Sequence, residues 1–147
     1  MFRVTRTYRF AAAHRLDTPQ LSAEENRSVY GKCNNPYGHG HDYVLEVSAR
    51  GPLDGYGMAV DTGRLDSLVE RQVLQPFSHR YLNVEVPAFA RLVPTTENLA
   101  LEICRRLQEN WRQAFPGEWP RLEGVRIAET ARNIFEVKAR DIEHGIE

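Results

Sequence analysis

Apolar and polar residues alternate with a period of two along two stretches of this chain. From Phe2 to Leu16 the even positions include Phe2, Val4, Tyr8, Phe10, Ala12, His14 and Leu16, while Arg3, Thr5, Thr7, Arg9 and Arg15 occupy odd ones. From His39 to Ala49 the odd positions run His39, His41, Tyr43, Leu45, Val47 and Ala49, against Asp42, Glu46, Ser48 and Arg50. Side chains on a strand point alternately to its two faces, so both stretches are predicted to be half-buried β-strands. Gly51-Pro52-Leu53-Asp54-Gly55 then turns the chain toward a short extended piece, Met58 to Val60. Asp61 or Thr62 caps a predicted helix whose stripe is Leu65, Leu68, Val69 and Val73, ending near Pro76. A threonine cap in Pro94-Thr95-Thr96-Glu97-Asn98, with an acidic first turn, opens a second helix. Its stripe is Ala100, Ile103, Cys104, Leu107, Trp111 and Ala114, and Phe115-Pro116-Gly117 stops it. Two closing strands are expected around Leu122 to Glu129 and Ile134 to Arg140, joined at Ala131-Arg132-Asn133.

The order strand, strand, helix, helix, strand, strand predicts an α+β fold: a four-stranded antiparallel sheet with two helices on one face. The edges of so small a sheet need protection, and pairing with other copies into a closed barrel supplies it. At 147 residues the chain is expected to form one domain, with a charged tail from Asp141 held loosely. A formal charge of −1 gives no electrostatic footprint for nucleic acid or a membrane surface. The first residues are charged where a signal peptide needs an apolar run, and two cysteines make no disulfide framework. A reducing, cytoplasmic location is the expectation.

The histidines change the picture. His39 and His41 share a face, and His14 joins them if the two strands pair. A single histidine on an apolar face is commonly a core residue. Two side by side must stay neutral and find partners for every ring nitrogen, which a metal resolves. Three protein ligands would leave a tetrahedral zinc one open position, the catalytic arrangement. Cys33 lies six residues before His39, in a loop running from Asp17 to Gly38 that is long enough to suggest a function. It is either a reactive thiolate near the metal, a fourth ligand, or an inert buried thiol. Cys104 falls in a helix stripe and reads as core. His79 sits in a loop where a surface histidine is the simpler reading. Glu129 continues the odd face of Val125 and Ile127, so a carboxylate ends an apolar strand face. It either pairs with an arginine or awaits a ligand offering an amino group and a ring N–H together.

Five motifs in order resemble the 6-pyruvoyl-tetrahydropterin synthase family, which includes the 6-carboxy-tetrahydropterin synthases of the queuosine pathway. They are Phe10-Ala11-Ala12-Ala13-His14-Arg15-Leu16, the run Gly31 to Tyr43, His79-Arg80-Tyr81-Leu82-Asn83, Pro94 to Asn98, and Glu129-Thr130. The resemblance implies a T-fold (tunnelling fold) subunit in a hexamer of two stacked trimers, with the active site shared between subunits. It implies Zn²⁺ on His14, His39 and His41, Cys33 as general base and His79 as its acid/base partner. Glu129 would anchor the pterin ring, helped by Thr95 and Thr96 of a neighbouring subunit. The implied reaction converts 7,8-dihydroneopterin triphosphate to 6-pyruvoyl-tetrahydropterin with loss of triphosphate. The Cys33–His39 spacing, with Asn34-Asn35-Pro36, resembles the pyruvoyl enzymes more than the carboxy enzymes. The alternatives are 6-carboxy-tetrahydropterin synthesis, or a zinc- and pterin-binding protein with weak catalysis. Ser78 departs from the family pattern, in which an aspartate precedes this histidine.

Overall fold

The two alternating stretches pair with each other, the first as far as His14. A computed structural model describes residues 1–143. In it β1 (Phe2–His14) and β2 (His39–Gly51) run antiparallel, from Phe2 opposite Gly51 to His14 opposite His39. The remaining strands are β3 (Arg80–Tyr81), β4 (Arg121–Ala128) and β5 (Ile134–Lys138). The sheet order is β3-β1-β2-β4-β5, with β3 parallel to β1 and every other pairing antiparallel. The expected four-stranded antiparallel sheet is therefore corrected to a five-stranded mixed one. A two-residue strand is too short to carry an alternation signal. It is held instead by the His79 N–H, which donates to the Ala11 carbonyl at 2.6 Å, and by burial of Phe77 and Leu82 on either side.

The inward face of the sheet is Phe10 and Ala12 of β1 with Tyr43, Leu45, Val47 and Ala49 of β2, all buried. Two helical segments cover it. The Asp61 carboxylate accepts the Arg64 N–H to cap α2 (Thr62–Val69). That helix passes through a π-helical turn, Glu70–Leu74, into α3 (Gln75–Phe77), burying Leu65, Leu68, Val69, Val73 and Phe77. The other is α5 (Thr96–Ala114), which buries Leu99, Ala100, Ile103, Cys104, Leu107 and Trp111. Helices beyond the expected two are α1 (Ala23–Tyr30), the short α4 (Leu82–Glu85) and α6 (Ala139–Glu143). Met58 to Val60 forms no strand, but Val60 still enters the core. Ile142 of α6 packs against the core, and the last part of the expected tail, 144–147, lies outside the described residues.

Along β2 and β4 the pairing slips by one residue: Ser48 faces Gly124, but Ala49 faces Leu122. This β-bulge is why the buried positions of β4 change from Leu122 to Val125 and Ile127. Gly124 sits at the slip, and a Cβ there would collide with the Val137 carbonyl of β5. Backbone cannot swing aside as a side chain can. Gly124→Ala should therefore lose about 1–3 kcal/mol of unfolding free energy in urea. A loss within error of zero would mean that β5 yields at no cost.

Candidate metal centre

His14 ends β1, and its ring is fully buried. Its Nδ1 lies 2.9 Å from the Pro94 carbonyl, which accepts only, so Nδ1 carries the hydrogen and donates it. That tautomer leaves Nε2 as an acceptor, 3.1 Å from His41 Nε2. Glu129, one residue past β4, brings Oε1 to 2.8 Å from His41 Nε2 and 3.8 Å from His14 Nε2. Cys33 Sγ stands 3.9 Å from His41 Nε2 and 4.0 Å from Glu129 Oε1. One ligand atom from each of these four residues lies within 4.8 Å of the others.

The loop bearing Cys33 is built against the end of β1. Asn26, buried in α1, accepts from the Thr18 N–H and donates to the Thr18 and Ser22 carbonyls. The 3-10 turn Gly31–Asn34 then brings the Cys33 carbonyl to the Leu16 N–H at 2.7 Å, and Asn34 Nδ2 donates to the Leu16 carbonyl at 2.7 Å. Gly38, with φ 82°, passes so close to the His14 carbonyl and the Tyr81 ring that a Cβ would crowd both.

This donor set suits a divalent cation. The lone pair of His14 Nε2 is buried and faces another imidazole nitrogen and a carboxylate oxygen. A single N–H on His41 Nε2 cannot serve both neighbours. A metal ion would satisfy the facing lone pairs together, and nitrogen with sulfur donors is the preference of zinc. Burial holds both imidazoles below their usual range, which keeps them in the neutral form that binds metal. Burial first, and then the Glu129 charge, push the Cys33 thiol up.

The two imidazoles make the metal-free protein sensitive to acid. Their folded values lie below the unfolded value of about 6.5, so the unfolded chain takes up protons first as pH falls. The stability present above about pH 6.5 should be lost progressively as pH drops through that value toward the folded ones. Urea unfolding of metal-free protein at about pH 7.5 and pH 5.5 should show the lower stability at pH 5.5. Equal stability at both would mean that His14 and His41 titrate normally.

The other expected site residues are placed as follows. His39 lies outside the group of four, its ring centroid 4.7 Å from that of His41 and nearly perpendicular to it. Thr96 is buried, and its hydroxyl donates to Glu129 Oε2 at 2.8 Å within the same chain. Thr95 uses its hydroxyl to cap α5, accepting the Asn98 N–H at 3.2 Å. His79, in a left-handed conformation with φ 60°, lines an open cavity of about 510 Å³. His41, Asp42, Arg80 and Glu85 share that cavity, but Cys33 is not among its walls. Two groups near His14 were not anticipated as site residues: the Pro94 carbonyl and the Tyr43 hydroxyl, 3.4 Å from Nδ1. Tyr43 follows His41 by two on one strand face, a signal the alternation carries. A backbone carbonyl has none.

Among the described residues no helix is long and apolar enough to cross a membrane. Residues 3–140 match the family model described as 6-pyruvoyl tetrahydropterin synthase. A 6-pyruvoyl tetrahydrobiopterin synthase of Poecilia reticulata is 46% identical over 132 residues, covering 89% of this chain and 86% of that one. The Caenorhabditis elegans 6-pyruvoyl tetrahydropterin synthase structure superposes with a TM-score of 0.82 at 38% identity, over 93% of this chain and 94% of that one. A weaker likeness, 33% over 86 residues, covers 56% of this chain and 52% of a 6-carboxy-5,6,7,8-tetrahydropterin synthase of Haemophilus influenzae. A match spanning nearly every described residue, together with convergent histidine, cysteine and glutamate donors, leads to one assignment: the chain belongs to the 6-pyruvoyl tetrahydropterin synthase family.

Proposed function

We propose that this protein is a zinc-dependent lyase that converts 7,8-dihydroneopterin triphosphate to 6-pyruvoyl-tetrahydropterin and releases triphosphate. The observation carrying the reading is that His14, Cys33, His41 and Glu129 converge in a chain of this family. His14 and His41 would hold the ion with His39, whose ring rests against His41. When bound, zinc supplies Lewis acidity that polarises the substrate's side-chain hydroxyls, and a positive charge that favours the Cys33 thiolate. Cys33 takes a proton from a carbon of the substrate side chain and returns one as the double bonds move. Glu129 orients the ring: its carboxylate accepts from the pterin amino group and the adjacent ring N–H. The Thr96 hydroxyl fixes the plane of that carboxylate. Tyr43, pushed up by burial, remains a neutral phenol beside His14.

His79 lines a cavity whose walls include His41 but not Cys33, and a site shared between subunits would let His79 serve Cys33. A hexamer of two stacked trimers, with sheets joined edge to edge into barrels, supplies such a site. The open outer edges at β3 and β5 are suited to that joining.

Incubation with 7,8-dihydroneopterin triphosphate tests the reading. Triphosphate with 6-pyruvoyl-tetrahydropterin is the expected outcome. Acetaldehyde would assign the chain to 6-carboxy synthesis instead, and no turnover would leave a pterin-binding protein.

Ser78 bears on the rate. Its N–H is bonded to the Leu74 carbonyl, and its side chain is half-buried beside His79. An aspartate here would orient the imidazole and favour its charged form; a hydroxyl does only the first, and weakly. Ser78→Asp should raise kcat roughly tenfold, equivalent to about 1.4 kcal/mol of barrier, and His79→Ala should abolish the gain. A fall in kcat with fold and zinc content intact would show that another group serves His79.

A further inference from the structure

The opposite end of the sheet holds a second cavity, of about 800 Å³. Arg50 lies nine positions beyond His41 on β2, roughly 30 Å away at the rise of a strand. Arg50, Arg112, Arg121, Lys138 and Arg140 line this cavity. They come from β2, α5, β4, β5 and α6, so five separate elements deliver positive charge to one place in a chain whose net charge is −1.

The acidic groups there do not balance them. Glu123 is turned to Arg3 at 3.3 Å, and Glu118 to Arg121 at 3.4 Å. Lys138 is shared with Glu136, outside the cavity. Arg50, Arg112 and Arg140 have no carboxylate partner among the described residues, against the single remaining acid Glu109. Arg50 and Arg121 are also direct cross-strand partners. Like charges placed opposite one another destabilise a sheet unless something neutral or negative lies between them. Here both guanidiniums face the Trp119 ring, at 5.7 and 4.3 Å from its centroid. The ring takes up part of the repulsion and holds both planar groups beside the cavity.

We propose that this cavity binds the oligophosphate group of a small anion, by charge-assisted bonds from Arg50, Arg112, Arg121 and Arg140. Guanidinium groups pair with phosphate oxygens in a bidentate way, and a concave site where positive charges outnumber the carboxylates favours such ligands. The same chemistry is offered by free inorganic oligophosphate and by a nucleoside triphosphate. The site is remote from the metal centre and does not depend on the reaction assigned there.

The chain contains two tryptophans, and both report on this end: Trp111 lines the cavity and Trp119 stacks with its arginines. Indole emission, excited at its red edge where nucleotides are transparent, therefore reads this cavity and not the metal centre. Titration of the intact protein with inorganic tripolyphosphate in low salt should give a saturable change that weakens as salt is added. The exposed double variant Arg112→Gln/Arg140→Gln should weaken apparent affinity at least about tenfold, as loss of two charge-assisted contacts predicts. It should keep its melting temperature and zinc content. Adenosine triphosphate binding tighter than tripolyphosphate would assign a nucleotide as the occupant; equal affinity would assign the free oligophosphate. No saturable change up to about 10 mM, far weaker than a functional site, would overturn the proposal. So would an affinity unaltered by the double substitution.

Discussion

His41→Ala should leave the protein folded and nearly free of zinc, with kcat/KM lowered by at least about a thousandfold, or more than 4 kcal/mol of transition-state stabilisation. Wild-type protein should carry about one equivalent per subunit, and the variant less than a tenth of that. His41 is the right position because its Nε2 is the hub of the group. Glu129 Oε1, His14 Nε2 and Cys33 Sγ all approach that one atom. It is also only partly buried as a residue, whereas His14 is fully enclosed and bonded to Pro94. Truncating His14 would add a core cavity and leave a carbonyl unpaired, mixing stability with metal loss. Normal zinc content in folded His41→Ala would remove this residue from the metal site.

Cys33→Ala separates the base from the metal. With three histidines proposed as ligands, zinc content should stay near wild type while kcat falls by about 10²–10⁴, the usual worth of a positioned base. KM should change little, because the thiol moves protons and does not hold the ring. Loss of zinc in this variant would instead make Cys33 a ligand, as its place in the group of four permits. Unchanged kcat would make it an inert thiol.

What the sequence made legible follows the length of each pattern. β1 and β2 are 13 residues each, so the alternation has room to declare which face His14 and His41 share. His39 carries the same parity. As the first residue of β2 it lies at the strand's margin, and its ring rests on His41 without entering the group. The loop from Asp17 to Gly38 concealed α1. Ser22 and Glu25 form a complete capping box, but the buried residue of that helix is Asn26, and Val29 is exposed. A helix fastened by amide hydrogen bonds has no apolar stripe to detect. β3 concealed itself by brevity. The missing sheet edge therefore hid the setting of His79, which precedes it, and only the fold shows the cavity it lines with His41 and Arg80.

The slip in β4 has a meaning beyond packing. Before it, inward residues are even-numbered; after it they are odd, and Glu129 is the next odd position past the strand. The bulge thus acts as a phase shifter inserted upstream of the site. It sets the parity in which the carboxylate arrives, five residues after Gly124. Deleting Glu123 would restore an unbroken ladder at the cost of no core side chain. A deletion between Val125 and Glu129, by contrast, would turn either Ile127 or the carboxylate to the outer face, since a one-residue slip exchanges the faces. Single-residue length changes on the two sides of that point are therefore not equivalent. In this family member, the spacing from the start of β4 to its carboxylate is a chemical parameter as well as a structural one.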